Sequence, residues 1–207
     1  MDNITEQELF WKGEFGDQYV DRMRGDDFVA SNIAMFSDVF RSVTDVSSII
    51  EFGANIGLNL RAIHALLPSA DLCGIEINSK AAQALREWGV ANVIESSIYN
   101  IDNVDKADFS LIKGVMIHLN PDKLKGVYSA LYKHSKKYIC IAEYYNPVPV
   151  EIEYHGHNER MYKRDFAGEF MDMFPDVELV DYGVTYKRDP LYRHDDLNWY
   201  LLKKKDK

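Results

Sequence analysis

Four residues in one short stretch have the types and spacing to seat a nucleotide. In SIIEFGANIGLN, residues 48–59, small and apolar residues lead into Glu51, then Gly53, Asn55 and Gly57, then a run with helical spacing. The pattern predicts a buried strand, a tight turn and a helix start. Glycine permits positive φ and close approach of a ligand to the backbone. The amides that open the helix are unpaired and partly positive, so the turn can take an anionic or polar group. Glu76 ends the next apolar run, LCGIEIN, with Ile77 beside it. That is about 20 residues on, where an acid can accept from ribose hydroxyls. Asn55 stands where the dinucleotide fingerprint G-x-G-x-x-G has its second glycine, which counts against a nicotinamide dinucleotide.

Further candidates lie downstream. Lys113 and His118 sit at the end of a fourth apolar run, DFSLIK, and just after it. The carboxyl edge of an open α/β sheet is where ligands bind. Lys113 can pair with an anionic group or face solvent. His118 can serve as a general base or brace a turn, and the turn is the commoner role. From Tyr144 to Arg164 the chain holds two prolines, two histidines and four tyrosines, and it reads as a long functional loop. Tyr144 and His157 join His118 as catalytic candidates. Tyr145, Asn146, His155, Arg160, Lys163 and Arg164 are candidate contacts to an acceptor. His155 and His157 share one face of an extended stretch. A metal centre would need a further ligand cluster, so none is expected.

These residues need a scaffold, and the periodicity supplies one. Phe10, Trp11, Phe15, Tyr19 and Arg22 fall in helical pieces broken by glycine, and they predict a flap. Val29, Ile33, Phe36 and Phe40 mark one helix face. Strands are expected at 48–52, 71–77, 92–95, 108–113 and 137–143, with helices between them. This alternation predicts a parallel, doubly wound α/β sheet. Asn78 and Gly89 read as the cap and stop of one helix. Asn120 and Pro121 read as the start of another. A helix from Phe166 and two last strands, 177–186 and 198–202, close the chain.

Composition sets limits. The 207 residues are 46% hydrophobic and carry a net charge of −9. One domain of this size buries a full core. The acidic balance argues against a nucleic-acid substrate. Cys73 and Cys140 sit in apolar runs and read as packed thiols. The opening MDNITEQE shows no signal peptide, and no apolar run is long enough to span a bilayer. A cytoplasmic protein without membrane partners is therefore expected.

The E-x-G-x-x-x-G turn with a following acid resembles that of the class I S-adenosylmethionine-dependent methyltransferases. A narrower resemblance is to the pseudaminic acid biosynthesis-associated methylases. It rests on FWKGEFGDQYVDR, EFGANIGLNL, LIKGVMIHLNPDKL, EYYNPVPVEIEYHGHNERMYKRDFAGEFM and DDLNWYLLKK, and so spans nearly the whole chain. The resemblance implies a Rossmann-like, mostly parallel sheet of seven strands. It divides a single domain into a helical lid (1–45), a cofactor core (46–143), a substrate segment (144–165) and a C-terminal helix with a strand pair (166–207). It implies S-adenosylmethionine as cofactor and a small polar acceptor, a sugar, sugar acid or related intermediate methylated on oxygen; the alternatives are methylation of nitrogen and a cofactor-binding partner without catalysis. Trp11 or Tyr19 would cover the sulfonium, and Arg22 would pair with the methionine carboxylate. Ser97 and Ile98 fall where this fold reads the adenine. Many such enzymes carry Asp there, and this chain does not. The string NPVP is similar to the N-P-P-Y signature of DNA adenine and glutamine methyltransferases, but it follows strand five rather than strand four.

Overall fold

The structure is a computed structural model that describes residues 4–23, 26–101, 104–154 and 157–205. Two short helices, α1 (Glu6–Lys12) and α2 (Glu14–Arg22), precede α3 (Asp26–Phe40). The core follows as β1 (Ser48–Phe52), α4 (Leu58–Leu66), β2 (Asp71–Glu76), α5 (Ser79–Trp88), β3 (Asn92–Glu95) and β4 (Ala107–Lys113). Two single-turn 3-10 segments, Met116–His118 and Pro121–Lys123, lead to α6 (Leu124–His134) and β5 (Ser135–Glu143). The chain then runs through β6 (Val150–Tyr154), β7 (His157–Lys163), α7 (Phe166–Met173), β8 (Val177–Val184) and β9 (Asn198–Lys204).

Seven strands form one sheet in the order β3-β2-β1-β4-β5-β9-β8. The first five are parallel; β9 runs antiparallel to β5, and β8 to β9. Strand order reverses between β1 and β4, which opens a crevice at their carboxyl ends. Side chains alternate across the sheet. Ile50, Phe52, Ile112 and Ile141 pack with Val127 and Leu131 of α6 and Phe170 of α7. Ile49, Phe109, Leu111 and Cys140 pack on the other face, with Phe36 of α3, Ile63 of α4 and Leu85 of α5. Each such side chain, fully buried, contributes about 1.5–3 kcal/mol. These two dry layers hold the strand ends, and so the crevice, in fixed positions.

The caps follow the sequence. Asn78 Oδ1 accepts from the Ala81 amide, and Gly89 ends α5 at φ 75°. Asn120 caps its 3-10 turn through the Asp122 amide.

The segment after β5 differs from expectation. It is no open loop: β6 and β7 form an antiparallel hairpin outside the main sheet, pairing Ile152 with Met161 and Glu151 with Tyr162. The reason is visible in VEIEY, whose period of two is a strand signal that the flanking prolines and histidines mask. No helix among the described residues is long and apolar enough to cross a membrane.

Candidate active site

The turn after β1 carries three positive φ angles: 77° at Gly53, 48° at Asn55 and 82° at Gly57. A β-carbon on Gly53 would stand 2.6 Å from Val115 Cγ2, and one on Gly57 would stand 2.3 Å from Leu85 Cδ1. Both glycines are therefore fixed by backbone angle and by packing. At Gly53 a side chain would meet Val115, and both residues line the cavity at the strand crossover.

Glu76 locks this turn to β2. Its Oε2 accepts from the Asn55 amide at 2.7 Å, and its Oε1 accepts from the Asn78 amide at 2.8 Å. Burial pushes its pKa up, and the amide bonds pull it back only in part. Each oxygen keeps acceptor capacity for a further donor. Behind the turn, Glu51 is wholly buried and accepts from Asn59 Nδ2 at 2.6 Å. Burial drives its pKa up to about 8, against the Asn59 bond and the nearby Lys113 charge. Burial lowers the Lys113 pKa, while Glu51, Asp195 and Glu143 hold it up.

Glu143, at the end of β5, shapes the opposite wall. Its Oε1 accepts from the amides of Val115 and Met116 at 2.9 and 2.8 Å. Burial raises its pKa to about 7. The carboxyl thus caps the 3-10 turn that carries His118. That imidazole is 7% exposed and lies between two rings, with Trp11 and Tyr154 centroids both 4.7 Å away.

Helices α1 and α2 bond to the core through Asn78, Lys80 and Ser97. Asn78 Nδ2 donates to the Trp11 carbonyl at 3.2 Å and to Asp17 Oδ1 at 2.8 Å. Lys80 pairs with Asp21 at 2.7 Å. Ser97 Oγ donates to Glu8 Oε1 at 2.5 Å. Trp11 and Tyr19 meet edge to face, 5.3 Å apart.

Together these walls enclose a cavity of about 810 Å³ at the strand crossover. Trp11, Tyr19, Gly53, Asn55, Glu76 and Ile77 line it, as do Ser97, Ile98, Lys113, His118 and Tyr144. Other predicted residues fall elsewhere. Glu51 and Gly57 support the turn from outside the lining. Arg22 lies over the rings of Phe15 and Tyr19, at 5.4 and 5.7 Å. Tyr145 is 40% exposed and Asn146 bonds the Val148 carbonyl. Lys163 sits over the Tyr144 ring at 4.8 Å, and Arg164 pairs with Glu169 at 2.6 Å. His157 and Arg160 are in β7; His155 lies outside the described residues. Among the described residues no group of three or more potential ligands could hold a metal.

The long β8–β9 connection was not expected at the site. Lys187, Leu191, Arg193, His194 and Asp195 all line the cavity. Ser31 Oγ donates to the Arg193 carbonyl at 2.8 Å, and His194 Nε2 meets Asn32 Oδ1 at 3.0 Å. These contacts strap the connection to α3. Burial and the nearby Asp195 charge raise the pKa of the Tyr144 hydroxyl. The charge density of KRDPLYRHDD was the available signal.

Solved structures share this architecture. The fold is that of the class I S-adenosylmethionine-dependent methyltransferases. A 1,6-didemethyltoxoflavin-N1-methyltransferase from Burkholderia thailandensis, with bound 1,6-didemethyltoxoflavin and S-adenosylhomocysteine, aligns at a TM-score of 0.71 and 13% identity, over 100% of this chain and 94% of that one. The plantazolicin methyltransferase BpumL aligns at 0.68 and 15%, over 97% and 94%. The magnesium protoporphyrin IX methyltransferase of Synechocystis aligns at 0.68 and 10%, over 99% and 100%. No family model and no curated protein matches the sequence. The methyltransferase fold places the cavity at the crossover, where Glu76, Lys113 and Tyr144 converge from three strand ends.

Proposed function

We propose that the chain is an S-adenosylmethionine-dependent methyltransferase for a small polar acceptor. The observation that carries this reading is the crossover cavity, walled on one side by Glu76 locked to the Asn55 amide. The residues present fit a nucleoside-bearing cofactor. Asn55 Oδ1, Asn59 Oδ1 and the Tyr99 hydroxyl are buried without hydrogen-bond partners among the described residues, and all three residues line the cavity. Buried polar groups left unpaired are costly, so a ligand with several donors and acceptors is the natural complement. Its volume lies within the range that small-molecule sites occupy.

When bound, S-adenosylmethionine supplies a methyl group on a positive sulfur, which an acceptor atom displaces in line. The protein's part is alignment and exclusion of water. Glu76 would accept from the ribose hydroxyls. Trp11 and Tyr19 close the lid side with aromatic faces that favour a cation. Tyr144, kept protonated by burial and the nearby Asp195 charge, lines the cavity and can donate a hydrogen bond that orients the acceptor. Lys113, Lys187 and Arg193 line the cavity and suit an anionic or hydroxyl-rich molecule. With the sequence resemblance, this favours an oxygen of a sugar or sugar acid as acceptor.

The test is transfer of labelled methyl from S-adenosylmethionine to a panel of sugar acids, nucleotide sugars and small amines. Label in a sugar acid above the no-protein background supports the reading. Label only in amines moves the acceptor to nitrogen. No transfer and no cofactor binding by folded protein removes it.

A further inference from the structure

Beyond Glu76 the cavity lining includes residues that follow β3. Ile77 and Ile98 give this slot apolar side chains, and Ser97 and Tyr99 give it hydroxyls. The apolar side chains suit the faces of a flat heteroaromatic ring, and the hydroxyls suit its hydrogen-bonding edge. The core itself offers no carboxylate there: ESSIYN, residues 95–100, places Ser96, Ser97 and Ile98 after the strand.

The lid brings one in. Glu8 of α1 lines the same cavity and is 9% exposed. Its Oε2 is committed to Thr5, accepting from the amide at 2.8 Å and the hydroxyl at 2.9 Å. Its Oε1 accepts from Ser97 Oγ at 2.5 Å and has a second lone pair. The carboxylate is thus held from both sides, with one acceptor position of Oε1 left over. Beside it the Tyr99 hydroxyl is buried with no hydrogen-bond partner among the described residues. A capping-box glutamate needs only the Thr5 contacts. The reach across 89 residues to Ser97, at the wall of a ligand cavity, is not needed for that.

We infer that Glu8 supplies the carboxylate that reads the exocyclic amino group of an adenine in this slot, so that base recognition and lid docking are one event. The inference rests on the cofactor reading above. It assigns specificity for the base to the N-terminal helix, where the core strand carries none. A 6-oxo purine would set a carbonyl oxygen against the carboxylate and be rejected.

The test is calorimetric binding of S-adenosylhomocysteine and of its inosine analogue to wild type, Glu8→Gln and Ser97→Ala, with thermal melts to verify folding. Wild type is expected to prefer the adenine form by about ten- to a hundredfold, the scale of a hydrogen bond to a charged group. Glu8→Gln, whose amide can donate to a 6-oxo group, should lose most of that preference while staying folded. Ser97→Ala should keep the preference at reduced affinity. An unchanged preference in folded Glu8→Gln, or none in wild type, overturns the inference and leaves the cofactor reading intact. Failure of wild type to bind either ligand overturns both.

Discussion

Glu76 Oε2 stands 2.7 Å from the Asn55 amide and thereby joins the end of β2 to the turn that follows β1. Asn55 holds a left-handed φ of 48° in that turn, a conformation that costs a non-glycine residue free energy. The carboxylate therefore does two things: it stabilises a strained backbone and it faces the cavity. Glu76→Gln keeps one acceptor but turns an amide group toward a backbone donor. Affinity for S-adenosylhomocysteine should fall about tenfold or more, and the melting temperature should drop by several degrees. Calorimetry and a thermal melt check both; unchanged affinity would remove Glu76 from the ligand.

The charges behind the turn predict a pH effect. Glu51 has a folded pKa of about 8 against an ordinary value of 4.5, so the folded state keeps its proton longer. For such an acid, stability is full below the ordinary value and declines as pH rises toward the folded one. Glu143, raised to about 7, acts in the same direction. Lys113, a base whose pKa is lowered, acts in the opposite one. Urea midpoints measured between about pH 5 and about pH 8 should fall less steeply in Glu51→Gln than in wild type. Parallel slopes would contradict the assignment.

Glu143 shapes the His118 turn through backbone amides alone. Glu143→Ala would leave the buried amides of Val115 and Met116 unpaired, together with the weaker Ile117 contact at 3.5 Å. The loss should be about 2–4 kcal/mol in urea unfolding. A change within about 0.5 kcal/mol, the range of an ordinary surface substitution, would show that the turn stands without it.

Tyr144 and Asp195 both line the cavity, and the Asp195 charge lies near the Tyr144 hydroxyl. Tyr144→Phe should reduce kcat by about tenfold, the scale of one lost hydrogen bond to the acceptor. Affinity for S-adenosylhomocysteine should stay within about twofold. Equal loss of both would place the residue on the cofactor instead.

Much of this was legible because local signals and tertiary structure agree. The Gly53–Gly57 turn, Glu76 at the end of β2 and the Asn78 cap each follow from neighbours in the chain. Contacts that cross the chain were not legible. Asp195 reaches Tyr144, and Glu8 reaches Ser97, only once the sheet and lid are assembled. Arg164 had the type expected of an anion binder, yet Glu169 of α7, five residues on, takes its charge. Residue type shows what a side chain can do; the fold decides what stands opposite it.

Equilibrium dialysis of folded protein against labelled S-adenosylhomocysteine addresses the cofactor reading directly. The account predicts one molecule bound per chain with a Kd in the micromolar range, about −8 kcal/mol, and no displacement by NAD. Absence of binding up to about 1 mM, a limit of about −4 kcal/mol, with the protein still folded would contradict it.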